Sequence, residues 1–291
     1  MAQKVIFDCD NTMGLKWNEI DDGLTLLYLL SRQEIDLLGV TTTFGNNTID
    51  DVWEASTMLW KMYGFDLPLK KGEGERHQSP TEAGQFLVEQ INQYPGEISM
   101  LATGPVGNLR AAKEIDPDFF KKVKQVACMG GMVHQPMKMG GLVLSELNLS
   151  ADPEATFAVL HAECPVTIMN AHVCLEAPFK WRHAFQAKHW HKKIAKWRNL
   201  WHFGFGLKYR QNAFYLWDLL PAVYLTEPEL FRENPVKIAS TVEDLEDGTL
   251  VIADEGQVVN MPDTILDPEH FYDILFDGWE RFFQQHQITR N

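Results

Sequence analysis

Val5-Ile6-Phe7-Asp8-Cys9-Asp10 is a short apolar run that ends on two carboxylates, and Ile20-Asp21-Asp22-Gly23-Leu24-Thr25-Leu26-Leu27 opens a helical apolar pattern ten residues later. An unbroken apolar run of this length is what a parallel strand buried on both faces requires. The same pairing of strand and helix repeats outward from it. Residues 37–43 precede a helical pattern over 52–63, and residues 98–102 precede one over 109–113. Strands at 123–128 and 166–169 flank a helix opened by Asp152, Pro153 and Glu154. This alternation predicts βαβ units and therefore an α/β fold, a largely parallel central sheet flanked by helices with a Rossmann-like core.

Helix starts are marked by capping chemistry. Thr48 with Asp51 forms a capping-box pattern, and Ser79, Pro80 and Glu82 form another with proline in the first turn. A helical region is expected from about Trp181 to Leu225, followed by short strands around 236–242 and 250–252. The last helix runs over 268–285 with Asp267 as its N-cap. No internal repeat, low-complexity segment or Pro/Gly/Ser linker divides the chain, so residues 1–291 read as one domain.

The chain has 291 residues, 45% of them apolar, and a formal net charge of -14. That length and composition are enough to bury a full core. The acidic balance argues against nucleic acid as a partner, because neutralising phosphates takes clustered Lys and Arg. Met1 to Lys4 lead directly into the first strand without the pattern of an export signal, and no run approaches the roughly 20 apolar residues of a membrane helix. Cys9, Cys128, Cys164 and Cys174 show no CxxC spacing and read as reduced thiols, which places the protein in the cytoplasm, away from membranes.

In an open parallel sheet, ligands gather outside the carboxyl ends of the strands. Those ends are acidic and polar here: Asp8 and Asp10 leading to Asp21 and Asp22, then Gly45-Asn46, then Thr103-Gly104. Four carboxylates at one strand end repel each other and resist desolvation, which points to a bound cation. Oxygen ligands favour calcium or magnesium, and the lack of paired Cys or His ligands argues against zinc. The plainer alternative is that Asp21-Asp22 caps the helix while Asp8 or Asp10 ties down the loop. Gly72-Glu73-Gly74 is too acidic for a phosphate loop and reads as a turn.

The ordered set of motifs resembles the inosine-uridine nucleoside hydrolase family. That family opens on Asp-Cys-Asp-Pro-Gly, one variable residue and Asp-Asp; this chain has Asp8-Cys9-Asp10 and Asp21-Asp22 with about seven extra residues between them. The likeness continues through Gly45-Asn46, Thr103-Gly104-Pro105 with Asn108, Met129-Gly130-Gly131, Glu146-Leu147-Asn148 with Asp152-Pro153-Glu154-Ala155, and Trp217-Asp218. The resemblance implies the nucleoside hydrolase fold and a calcium-dependent N-glycosyl hydrolase acting on a small-molecule nucleoside, working as a homodimer or homotetramer. It implies that Asp10, Asp22, Asp218 and the carbonyl of Thr103 hold the calcium ion and that Asp10 takes a proton from the attacking water. Asp21 and Asn148 would bind the ribose hydroxyls, Glu146 would face the 5′ hydroxyl, and Asn46 would orient the sugar.

The chain also departs from the family pattern. The Pro-Gly turn is replaced by residues 11–20, and Gly140 stands roughly where the family often has an asparagine at the 5′ hydroxyl. Trp217 replaces the base-side His, as in purine-preferring members, where an indole stacks on the base. Asp8-Cys9-Asp10-Asn11-Thr12 is also similar to the DxDxT signature of haloacid-dehalogenase-like phosphatases, with Asp8 as nucleophile and Asp10 as acid/base. A third reading is a calcium- or nucleoside-binding homologue without catalysis. The stretch 180–201, with His183, His189 and His191 among lysines, arginines and tryptophans, reads as an amphipathic helix with a solvated basic face. Its aromatics, with Phe203, Phe205 and Tyr209, are candidates to close over the base.

Overall fold

Strand β1 (Gln3–Cys9) pairs in parallel with β2 (Ile35–Thr42) on one side and with β4 (Ile98–Ala102) on the other. The sheet extends through β3 (Leu69–Lys71) beyond β2, and through β5 (Gln125–Met129) and β6 (Val166–Met169) beyond β4. It ends in β8 (Gln257–Asn260) and β7 (Pro235–Ile238), giving the order β7-β8-β6-β5-β4-β1-β2-β3. Only the β7–β8 pair is antiparallel, so the largely parallel sheet expected from the sequence is present. The computed structural model describes residues 2–133, 137–187 and 190–286.

Side chains alternate across the sheet into two cores, as the two-residue period of a strand requires. Val5, Phe7 and Cys9 of β1 join one core, and Ile6 joins the other. The first core is closed by helices α1 (Asp21–Ser31), α6 (Lys192–Tyr209), α7 (Leu219–Thr226) and α8 (Pro268–Gln285). The second is closed by α3 (Glu82–Gln93), α4 (Gly107–Ile115) and α5 (Pro153–Leu160). Helix α2 (Ile49–Tyr63) follows β2, with the Thr48 side chain accepting the Asp51 N–H as the capping pattern predicts.

Four local expectations are corrected by the structure. The N-cap of α3 is Thr81, whose hydroxyl accepts the Gly84 N–H at 2.9 Å; Ser79 and Pro80 lie before it. The helical region after Trp181 is interrupted by Ala213–Tyr215, which pairs antiparallel with Pro178–Lys180. Strand β7 stops at Ile238, because Thr241 and Asp244 cap a short helix from Val242 to Leu245. Residues 250–252 contribute one bridge, Ile238 to Ile252, and the edge is built instead by the unanticipated β8. That four-residue strand is too short to carry a periodic signal.

Among the described residues no helix is long and apolar enough to cross a membrane, and the four cysteines are free thiols. Helix α8 buries Phe271, Ile274, Leu275, Gly278, Trp279, Phe282 and Phe283, a three-then-one spacing that makes one apolar stripe. The stripe lies on α1, and the Trp279 indole N–H donates to the Leu24 carbonyl at 2.9 Å. The C-terminal helix thereby fixes α1, which carries Asp21 and Asp22 at its first turn. Trp279→Ala is expected to lower unfolding stability by about 3–5 kcal/mol in urea denaturation, through the cavity it leaves. A loss below about 1 kcal/mol would show that α8 does not clamp α1.

Candidate active site

The carboxyl ends of β1, β2 and β4 meet around Asp10, the first residue past β1. The ladders run on beyond the strands, with Thr43 N–H donating to Cys9 O at 3.0 Å and Thr103 N–H to Asp8 O at 2.9 Å. This draws the loops after β2 and β4 against Asp10. The Asp10 carboxylate accepts the Asn46 backbone N–H at 2.5 Å, with the Asn46 side-chain nitrogen 3.4 Å from its other oxygen. Gly45 permits this approach: its φ is +155°, and a Cβ there would stand 2.1 Å from Asp10 Oδ2.

Asp21 and Asp22 form the first turn of α1, and Asp218 is the N-cap residue of α7. Three buried carboxylates thus sit at two helix N-termini, whose dipoles offset part of their charge. They do not act as caps. The N-cap of α1 is Ile20, neither helix has a side-chain capping bond, and both Asp21 oxygens lack a well-aligned hydrogen bond. Asp22 Oδ1 accepts the Thr103 hydroxyl at 2.6 Å, and the Thr103 carbonyl accepts the Asn148 side-chain N–H at 2.9 Å. The same Asn148 nitrogen reaches Met129 O at 3.2 Å, so its amide donors face the protein.

Burial pushes the carboxyls of Asp10, Asp21, Asp22 and Asp218 above the usual range, and their mutual repulsion pushes Asp21, Asp22 and Asp218 further. Among the described residues no Lys, Arg or His forms an ion pair with any of the four. Asp10 lies against Asp22, and Asp21 against Asp218, close enough for each pair to hold a proton between them. As the side chains lie, no three His, Cys, Asp or Glu groups among the described residues converge in ligating geometry. The donor set nevertheless fits a hard dication, being all oxygen, buried and without a protein counter-charge.

Asp218 connects the cluster to a cavity of about 390 Å³. Asn46, Thr103, Asn148, Asp218 and Glu19 line its polar end; Met132, Met137, Leu144, Phe205, Tyr209 and Trp217 line its apolar end. Trp217 packs on Met132, Met137 and Ala171, with its ring 5.3 Å from that of Tyr215. Phe205 and Tyr209 are therefore the aromatics of α6 that face the cavity, whereas Phe203 does not line it. Glu146 is on the wall, its carboxylate accepting the N–H groups of Gly131, Asn148 and Leu149 on Oε1 and of Ser150 on Oε2. Oε2 retains capacity for a further donor. Gly140 has φ +59° in the turn between Lys138–Met139 and Leu142–Val143, and a Cβ there would stand 2.0 Å from Tyr209 O. The missing side chain lets that hairpin rest on the end of α6.

Asp8 is not on the cavity. It is fully buried, and its Oδ1 accepts the Thr41 hydroxyl at 2.5 Å and the Asn108 side-chain N–H at 2.7 Å. That bonding ties β1 to β2 and to α4, a structural use of Asp8 that the phosphatase alternative does not provide for. The basic stretch is also structural where it is described. His183 is buried, accepts the Lys180 N–H and is pushed down to about 4 by desolvation, so it is neutral. His191 caps α6 by accepting the Lys193 N–H at 3.4 Å, and His189 lies outside the described residues. The stretch is two helices, Trp181–Gln186 and α6, not one.

Like Lys208 of α6, Glu19 is a charged cavity residue that sequence reasoning does not single out. It belongs to the loop that replaces the family's short turn, where no motif marks it, although a carboxylate two positions before Asp21-Asp22 is a signal in itself. Because these carboxyls sit above their ordinary values, ionising them opposes folding when no cation is bound. The metal-free protein should therefore lose stability as pH rises from about 4 toward about 8, where Asp10 and Glu19 titrate. A thermal midpoint in chelator that is equal or higher at pH 8 than at pH 5.5 would contradict this.

A family model described as inosine-uridine preferring nucleoside hydrolase matches residues 5–273. Uridine nucleosidase 1 of Arabidopsis thaliana is 28% identical over 201 residues, 59% of this chain and 57% of that protein. The pyrimidine-specific ribonucleoside hydrolase RihB of Escherichia coli (strain SE11) is 24% identical over 196 residues, 58% of this chain and 59% of that protein. The aligned chain thus spans less than two thirds of the length of these curated relatives. The solved structure of a purine-preferring ribonucleoside hydrolase from Gardnerella vaginalis superposes with a TM-score of 0.84 at 18% identity, over 97% of this chain and 100% of that one.

Proposed function

The chain belongs to the inosine-uridine preferring nucleoside hydrolase family, and from that premise we propose that it hydrolyses the N-glycosidic bond of ribonucleosides to ribose and free base in a calcium-dependent reaction. The observation that carries this reading is the cluster of buried Asp10, Asp21, Asp22 and Asp218, without a protein cation, behind a cavity that Asp218 and Thr103 line together with Phe205, Tyr209 and Trp217. Asp10, Asp22, Asp218 and the Thr103 carbonyl would hold the ion. Calcium bound there supplies the positive charge that polarises a water and a vicinal diol.

The protein's own groups perform the rest. Asp10 accepts the proton of the attacking water, for which it must be ionised, and the field of a cation favours that form. Asp21, at the first turn of α1, offers its carboxylate to the sugar hydroxyls. Asn148 spends its amide N–H on main-chain carbonyls and keeps its oxygen for a sugar hydroxyl. The surplus of carboxylates stabilises positive charge as the ribosyl ring takes on oxocarbenium character. Trp217, Tyr209 and Phe205 hold the base at the apolar end, where stacking on an indole is worth about 1–3 kcal/mol and grows with ring area.

Trp217 supports a preference for purine nucleosides. The names of the curated relatives support a second reading, preference for uridine, so the base panel is the deciding measurement. The parent protein should release ribose from inosine, adenosine or guanosine faster than from uridine or cytidine, stop in chelator, and recover with added calcium. Unchanged turnover by protein shown to be metal-free by elemental analysis would refute the calcium dependence, and faster uridine cleavage would assign the second reading. Asp10→Asn should lower kcat by about 10²–10⁴-fold with much less effect on ribose binding. Near-normal turnover by that variant would show that another group takes the proton. Trp217→Ala should lose purine activity while keeping its melting temperature and calcium affinity; unchanged purine kinetics would remove Trp217 from the base site.

A further inference from the structure

Lys208 is the one basic side chain that lines the cavity among the described residues, and the mechanism above does not use it. It stands in the last turn of α6, where the free carbonyls of a helix C-terminus favour a cation. Its ammonium lies over the Tyr209 ring, 4.9 Å from the centroid. Among the described residues it forms no ion pair, and Glu19 on the same cavity is not within ion-pair distance of it. It donates no hydrogen bond to any described residue either. All three of the donors an ammonium carries are therefore left for a ligand.

The ring beneath that ammonium is tied to the aromatic wall. Tyr209 is centred 4.6 Å from Phe205, Phe205 is 6.1 Å from Tyr215, and Tyr215 is 5.3 Å from Trp217. These rings join the end of α6 to the segment that carries Trp217, so the ammonium on Tyr209 belongs to the end of the cavity assigned to the nucleobase. From the other side the hairpin turn at Gly140 closes on the Tyr209 carbonyl, a contact that a Cβ would block at 2.0 Å. Lys208 itself is exposed, and replacing it leaves the packing of both cores in place.

The reaction leaves one role open on this wall. When the glycosidic bond breaks, its electron pair goes to the ring nitrogen of the base, which departs as an anion unless it gains a proton. Apolar walls disfavour an anion, and no histidine lines the cavity among the described residues. We propose that Lys208 is a catalytic residue that supplies this proton: its ammonium meets the edge of the nucleobase beside Tyr209 and protonates it as the bond to C1′ breaks. The water oxygen bonds to C1′, one water proton goes to Asp10, and the Lys208 proton leaves with the base. After ribose and base have gone, the neutral amine and the protonated Asp10 return to their starting states by exchange with solvent. The proposal rests on the hydrolase reading and adds to it the group that acts on the leaving side.

The test compares two leaving groups on one sugar. One substrate is the nucleoside that the parent protein cleaves fastest; the other is p-nitrophenyl β-D-ribofuranoside, whose p-nitrophenolate departs without a proton. Lys208→Met should lower the ratio of kcat for the nucleoside to kcat for the p-nitrophenyl riboside by about 10²-fold or more. Damage to folding or to calcium binding moves both rates together and leaves that ratio in place. Lys208→Arg keeps the positive charge but holds its proton, so its ratio should also fall, by about tenfold or more. A parental ratio in Lys208→Met, or in Lys208→Arg, overturns the proposal while the hydrolase reading stands. A ratio that falls in Tyr209→Phe and not in Lys208→Met does the same, because it gives the proton to the phenol. A parent protein that frees no ribose from any nucleoside overturns the hydrolase reading and this proposal together.

Discussion

Four like-charged groups buried at one end of a parallel sheet are the constraint around which the rest of this structure is arranged. Desolvating a single carboxylate costs several kcal/mol, and placing four together adds repulsion that no Lys or Arg among the described residues relieves. The fold tolerates them because their positions are set by elements that gain stability elsewhere. Asp10 directly follows a strand whose Val5, Ile6 and Phe7 are fully buried, and Asp21 and Asp22 begin a helix buried over nearly its whole length. Apolar burial at roughly 25 cal/mol per Å² holds those elements in place whatever the charge at their ends. The site is strained electrostatically and supported mechanically, an arrangement in which a bound cation would relieve the repulsion.

Polar groups behind the cluster keep that support specific. Asp8, one strand position away from the cavity, uses Thr41 and Asn108 to join β1, β2 and α4, and Asn108 also donates to Thr42 O at 3.0 Å. Beyond it Arg110 lies between Glu73 and Asp152, at 2.6 and 3.3 Å, and Asp152 also caps α5 through the Ala155 N–H. These buried ions are paired, whereas those of the cavity are not.

Local chemistry and long-range packing were legible in the sequence to different degrees. Runs with strong periodicity, such as β1, α2 and α8, lie where the pattern puts them, because a buried face leaves its period in the chain. The helix after Trp181 was harder to read. Its composition is helical throughout, yet it breaks, and Ala213–Tyr215 pairs with Pro178–Lys180, because the pairing is decided by a strand more than thirty residues away. Strand β8 was invisible for the same reason: four residues become a strand only because β6 and β7 lie on either side of them.

By itself the sequence determined the α/β alternation, the strand ends at which chemistry gathers, and the identity of most of the residues there, since each of those follows from residue type and spacing along a few turns or strand positions. It did not determine which of two nearby carboxylates joins the buried acidic cluster behind the cavity. Asp8 and Asp10 are equivalent in the chain, and only the partners Thr41 and Asn108 from other elements turn Asp8 inward as a structural tie. Nor did it determine the place of Glu19, which reaches the cavity because Trp17 docks on α6, a helix almost two hundred residues further on. Side-chain direction at the end of a sheet is set by what stands opposite, and what stands opposite is known only once the chain has closed on itself.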